Sequence, residues 1–101
     1  IDKAEARLDL TQPALVIERL VRAYNPVPGA FIELCGDRLK LLAVDVVAAR
    51  GTPGTVLDDR STLACGIDAV RPTLVQRAGK PVMATAALLN GWTITPGTHV
   101  A

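Results

Sequence analysis

The stretch "AFIELCGDRLKLLAVDVVA", residues 30–48, decides the fold. Two alternating, strand-like runs, "AFIELC" and "RLKLLAVDVVA", are separated by Gly36 and Asp37, the signal of a short hairpin. On the N-terminal side stands a stiff joint, "RAYNPVPGAF". Pro26 and Pro28 hold φ near about −65°, and Gly29 permits a conformation closed to other residues. Before the joint, "LTQPALVIERLVRAY" carries Leu10, Ala14, Ile17, Leu20, Val21 and Tyr24 at the three-and-four spacing of one helical face. Thr11 is the expected cap, Pro13 suits the first turn, and Asn25, placed before a proline, should end the helix near Tyr24.

Downstream, the loop "ARGTPGT" leads into a second hairpin, with "TVLD" and "TLACG" flanking the turn "DDRS". "AVRPTLVQ" reads as a strand in which Pro72 demands an edge or a bulge. "RAGKPV" is a turn, "ATAALLN" a short helix closed by Gly91, and "WTITPGTHVA" an extended tail. Five or six short strands with two flanking helices point to a small, closed or partly open antiparallel barrel.

A chain of 101 residues forms one domain. It begins at Ile1 without a leader pattern, so it reads as a piece of a longer polypeptide. Apolar runs are short and broken by charge, which excludes a bilayer-spanning segment and implies a soluble domain. Cys35 and Cys65 lie in apolar contexts without partners at metal spacing, and both read as buried free thiols. Net charge is +1, unevenly spread. No acidic residue follows Asp68, whereas Arg71, Arg77 and Lys80 do, so the final third suits a local anion-binding face.

Catalytic constellations are missing. His99, the one histidine, sits in a tail expected to fray, and a catalytic imidazole needs a rigid orienting partner. No phosphate-loop or dinucleotide motif occurs, and no Cys/His cluster has metal-ligand spacing. Asp58 and Asp59 share a turn, where carboxylates cap backbone N–H groups. Tyr24, Phe31 and Trp92 are too few for a base-stacking platform, so a nucleic acid would be gripped by its phosphates and shape.

The strings "IDKAEARLDL", "RLVRAYNPVPGAF", "LKLLAVDVV", "GTPGTVL", "LACG", "LVQRAGKPVM" and "ALLNG", with a closing "PG", resemble in that order the C-terminal domain of methionyl-tRNA formyltransferases, across essentially the whole chain. The resemblance implies a mainly β, open Greek-key barrel of the OB-like kind over residues 11–101, with residues 1–10 ending an interdomain linker. It also implies a missing N-terminal catalytic domain that moves a formyl group from 10-formyltetrahydrofolate to the α-amino group of initiator Met-tRNA in the cytoplasm. The present domain, with neither active site, metal nor cofactor of its own, would then bind and orient the acceptor arm of the initiator tRNA. Lys3, Arg7, Arg22, Arg77 and Lys80 match basic or linker positions of the family and are the expected tRNA contacts. Arg71 matches no family position and is a weaker candidate.

Three departures from the family stand out. Val27 occupies a position often held by Trp, so the packing of the joint should differ. Gly91 is followed directly by Trp92, without intervening basic residues. Ala84 replaces a common capping hydroxyl, leaving Thr85 to serve one position later. The joint itself is expected to aim the helix so that Arg22 and the "QRAGKP" turn face one ligand. Two alternatives remain open at this level: the corresponding domain of a sugar-nucleotide formyltransferase, and a purely structural barrel packed on a catalytic domain.

Overall fold

The computed structural model describes residues 7–25 and 27–101. Lys3 and Pro26, both singled out above, lie outside the described residues. The elements are α1 (Ala14–Tyr24), β1 (Ala30–Leu34), β2 (Asp37–Val47), β3 (Leu63–Ala64), β4 (Ala69–Arg77), β5 (Met83–Ala84) and α2 (Thr85–Gly91). The antiparallel sheet runs β1-β2-β4-β3, with β5 also paired to β4. It curls into a half-barrel, as expected of the mainly β, OB-like reading.

The deciding hairpin forms, shifted by one residue. Leu34 pairs with Asp37, so the two turn residues are Cys35 (φ 52°) and Gly36 (φ 81°), both left-handed as a tight hairpin turn requires. This placement corrects the expectation for Cys35, which is exposed because it occupies the turn tip. Cys65 is buried, and burial pushes its thiol up to about 11 against a weaker opposing bond from the Val70 backbone.

β2 is long because it serves two partners, β1 with its first half and β4 with nearly all its length. Its buried residues are Leu39, Leu41 and then Val44, a slip of one in the alternation. The register with β4 shifts at the same place, first across Leu42 and then across Thr73. These paired irregularities bend the sheet and free two carbonyls. Asn25 Nδ2 donates to Leu42 O at 3.4 Å, and Thr73 Oγ1 donates to Ala43 O at 3.2 Å. Pro72 is thus accommodated at an irregularity of an interior strand, in the gap between the part of β4 paired to β3 and the part paired to β5.

α1 lays Ala14, Ile17 and Val21 on the sheet and stops at Tyr24, whose carbonyl accepts from Gly29 N at 2.8 Å. Its start differs from expectation. Pro13 holds the N-cap position, and the Thr11 hydroxyl donates instead to Asp9 Oδ1 at 2.6 Å. That bond, with a second from the Thr11 N–H, holds the Asp9 carboxyl below its ordinary range. Val27 is 72% exposed, so the joint packs no large side chain where the family often has Trp. Thr85 does not cap α2; its hydroxyl is buried without a partner.

The tail is not frayed. Glu33 and Ala101 exchange backbone bonds of 2.8 and 2.9 Å, while Gly97, Thr98 and Val100 bond to residues 54–56. Residues 54–57 in turn bond to residues 62–64. His99 is therefore held at a bridge to Thr55, with its side chain exposed. On the same side of β1, Leu8 N donates to Phe31 O at 2.9 Å, and Leu8 and Leu10 join the core. No helix of the described residues is long and apolar enough to cross a membrane.

Gly66 marks the tightest backbone approach: a Cβ there would run into the Thr11 carbonyl oxygen and lie 2.9 Å from its carbon. Its N–H donates to Gln12 O at 3.0 Å. Gly66→Ala should cost about 1–3 kcal/mol, as overpacking does, measured by urea unfolding. Gly91→Ala, with open space around it, should be neutral or slightly stabilising. Equal effects of the two would contradict this docking.

Candidate nucleic-acid interface

The alternation in "DRLKLL" puts Leu39 and Leu41 inward and Arg38 and Lys40 on the opposite face. Register brings Glu33 opposite Arg38, and both Phe31 and Gln76 opposite Lys40. Phe31 is 5% exposed, and two guanidiniums lie over its ring, Arg38 at 3.9 Å and Arg7 at 5.8 Å from the centroid. Arg7 also pairs with Glu33. The Lys40 stem passes over Gly29, where a Cβ would fall 2.6 Å from Cδ and 2.7 Å from Cε. Glycine at this left-handed position (φ 86°) therefore gives the lysine its path across the joint.

The turn after β4 is fixed from within, since Lys80 N donates to Arg77 O and Gln76 Nε2 donates to Lys80 O. Arg77 projects with its guanidinium 4.5 Å from the Trp92 ring centroid and 3.7 Å from an Asp37 carboxylate oxygen. Two adjoining surface hollows share Arg38, Arg77 and Ala78. One, of about 150 Å³, adds Lys40, Gln76 and Gly79, and the other, of about 90 Å³, adds Asp37 and Lys80. Four cations thus line one surface, and Arg7 continues it across Phe31. The acids among them, Glu33 and Asp37, sit in exposed pairs that hold little energy against a competing phosphate.

Of the residues expected from sequence, Arg7, Arg77 and Lys80 stand on or beside this surface. Arg22 lines neither hollow. It is exposed on α1 and paired with Glu18 one turn earlier at 2.7 Å, and the end of its helix is tied to β2 through Asn25 and Leu42. Arg38 and Lys40 were not among the expected contacts because they lie outside the acid-free final third, among Glu33, Asp37 and Asp45. Their two-residue spacing opposite buried leucines was the available signal.

Arg71 belongs elsewhere. Its Nε donates to Thr62 Oγ1 at 3.0 Å and its guanidinium reaches Asp58 at 3.5 Å. Asp58 caps the second hairpin turn, as expected for that carboxylate, accepting from Arg60 N at 2.9 Å, Thr62 N at 3.1 Å and Thr62 Oγ1 at 2.7 Å. Among the described residues, no group of three or more His, Cys, Asp or Glu could hold a metal.

A curled antiparallel half-barrel with two short helices and a cationic face over its first hairpin defines a class of small β-barrel domain. Within that class, the chain belongs to the formyl transferase C-terminal domain family, whose model matches residues 1–93. It is 54% identical over 100 residues to a methionyl-tRNA formyltransferase of Novosphingobium aromaticivorans, covering 99% of this chain and 33% of that protein. It is 50% identical over 106 residues to one of Sphingopyxis alaskensis, covering 100% and 35%. The chain thus spans about a third of the length of these curated relatives. Among solved structures, HypX from Aquifex aeolicus in complex with tetrahydrofolic acid superposes with a TM-score of 0.73 at 23% identity, over 88% of this chain and 17% of that one, a likeness of fold.

Burial pushes the Asp58 carboxyl up, but the bonds from Thr62 and Arg60 and the charge of Arg71 outweigh it and hold the group below its ordinary 3.8. A lowered value favours the carboxylate in the folded state, so its contribution is present above pH 3.8 and is lost as pH falls through the lowered value. Asp58→Asn should therefore lower the thermal midpoint at pH 7, and the gap to the parent should narrow as pH falls below 3.8. A gap that stays constant across this range contradicts the assignment.

Proposed function

We propose that this chain is the tRNA-gripping domain of a methionyl-tRNA formyltransferase. It holds the acceptor arm of initiator tRNA while an N-terminal catalytic domain, acting in the cytoplasm, moves the formyl group from 10-formyltetrahydrofolate to the methionyl amino group. The observation that carries the reading is the convergence of Arg38, Lys40, Arg77 and Lys80 on two adjoining hollows, with Arg7 beyond Phe31. High identity to named methionyl-tRNA formyltransferases supports the substrate class. Lys3 and Arg22 are kept as flanking contacts, on the strength of family position alone.

Physically, the domain supplies grip and aim. Guanidiniums and ammoniums neutralise phosphates and release their counterions, a sequence-independent contribution that sets orientation without reading bases. The Arg77–Trp92 and Arg38–Phe31 stacks hold those guanidiniums in place before the RNA arrives, which reduces the side-chain entropy lost on binding.

Binding of tRNA to the chain should therefore be steeply salt-dependent. Five phosphate contacts predict a loss of roughly 10²-fold to 10³-fold between 50 and 200 mM salt. Lys40→Ala and Lys80→Ala should each weaken binding and reduce the log–log slope by about one. Arg60→Ala, outside the two hollows, should do neither. Binding that ignores salt, or no binding at all, points instead to a purely structural barrel.

A further inference from the structure

β3 and β5 pair with the same side of β4 but at different heights, at Ala69–Val70 and at Leu74–Val75. The gap between them, at Arg71, Pro72 and Thr73, is the floor of a cleft of about 310 Å³ roofed by the first turns of α2. Its walls are nearly all apolar: Pro72, Ala84, Ala86 and Leu89, with Thr85 among them. Arg60 and Arg71 supply the charged part of its lining. Pro72 has no N–H to satisfy, so the unpaired stretch of β4 carries one fewer exposed donor there.

One buried polar group at this cleft is left without a partner. Thr85 is 7% exposed and its Oγ1 has no hydrogen bond. Orphaned buried hydroxyls are rare in folded proteins, and this one belongs to the lining of the cleft. The Arg60 side chain forms no ion pair among the described residues, whereas Arg71 is shared with Thr62 and Asp58. Asp59 does not line the cleft. An apolar cavity with a few convergent polar groups is the usual form of a small-molecule site.

We propose that the cleft between β3, β5 and α2 binds a small amphiphilic anion, a phosphate ester or carboxylate on an apolar body. The body lies on Pro72 and Leu89 beneath α2, and the anion faces Arg60 with support from Arg71. The site is separate from the cationic hollows near the first hairpin and does not depend on the RNA reading. Its occupant would link the Asp58 turn to α2, two parts of the chain whose nearest connection otherwise runs through β4.

The test is a methyl and amide NMR titration of the chain with phenyl phosphate and, separately, with inorganic phosphate. Phenyl phosphate should give saturable shifts at Thr85, Ala86 and Leu89 with a dissociation constant of about 1 mM or below, and inorganic phosphate should not reach these methyl groups. Arg60→Gln should weaken phenyl phosphate about threefold to tenfold. Ala86→Leu, at an exposed helix position that tolerates the change, should fill the cleft and abolish the shifts. Equal affinity for both phosphates, or binding unaltered by Ala86→Leu, overturns the proposal. So does an RNA hairpin that shifts the same three residues, because it would make the cleft part of the RNA surface.

Discussion

The structure depends on how β1 is held at both edges. On one side it has the full ladder with β2; on the other, Glu33 exchanges two backbone bonds with Ala101 and Phe31 accepts from Leu8. The tail that supplies Ala101 also bonds to residues 54–56, and residues 54–57 bond to residues 62–64 at β3. A ring of hydrogen bonds therefore runs through β1, β2, β4, β3, residues 54–57, the tail and back to β1. Without the tail, β1 and residues 54–57 would present unpaired N–H and C=O groups, a liability for any sheet. The half-barrel is thus completed by short irregular segments, and its core of Ile32, Leu34, Leu41, Val56 and Leu63 lies inside that ring.

The same ring gives the cationic face its rigidity. Arg38 and Lys40 extend from β2, Arg38 opposite Glu33 of β1 and Lys40 between Phe31 of β1 and Gln76 of β4, so both stand on paired backbone. Phe31, which orders Arg7 and Arg38, belongs to the strand that the tail and residue 8 secure. Charges presented on such a frame bind a polyanion with little reordering, whereas the same side chains on a mobile hairpin would lose more entropy. The ion pairs of Arg7 with Glu33 and of Arg77 with Asp37 are exposed and exchangeable, which keeps the face hydrated and ordered before a ligand arrives.

Much of the fold was legible in the sequence, because the deciding signals were local. Helix α1 ended at Tyr24 because Asn25 precedes a proline, the second hairpin formed around its turn residues, and the first formed one residue earlier than its turn signal, on Cys35 and Gly36. Asp58 capped its turn because a carboxylate four residues before Thr62 reaches that N–H and hydroxyl. The misreadings were tertiary in origin. Nothing near His99 in the chain announces that Glu33 and residues 54–56 will take up the tail's hydrogen bonds. Cys35 read as buried beside apolar neighbours, yet the one-residue shift of the turn put it at the tip. Thr11 was drawn to Asp9 and away from the helix start. The cationic face was half legible: Arg77 and Lys80 stood out in an acid-free segment, whereas Arg38 and Lys40 became part of it only through strand register.

Native-state hydrogen exchange at the amides of Glu33, Val56, Val100 and Ala101 tests the closed ring most directly. If the tail completes the barrel, these four amides are protected and exchange alongside those of the β2–β4 ladder. Exchange of Val100 and Ala101 at the rate of an unstructured peptide, while the ladder stays protected, would contradict the account and leave β1 with an open edge.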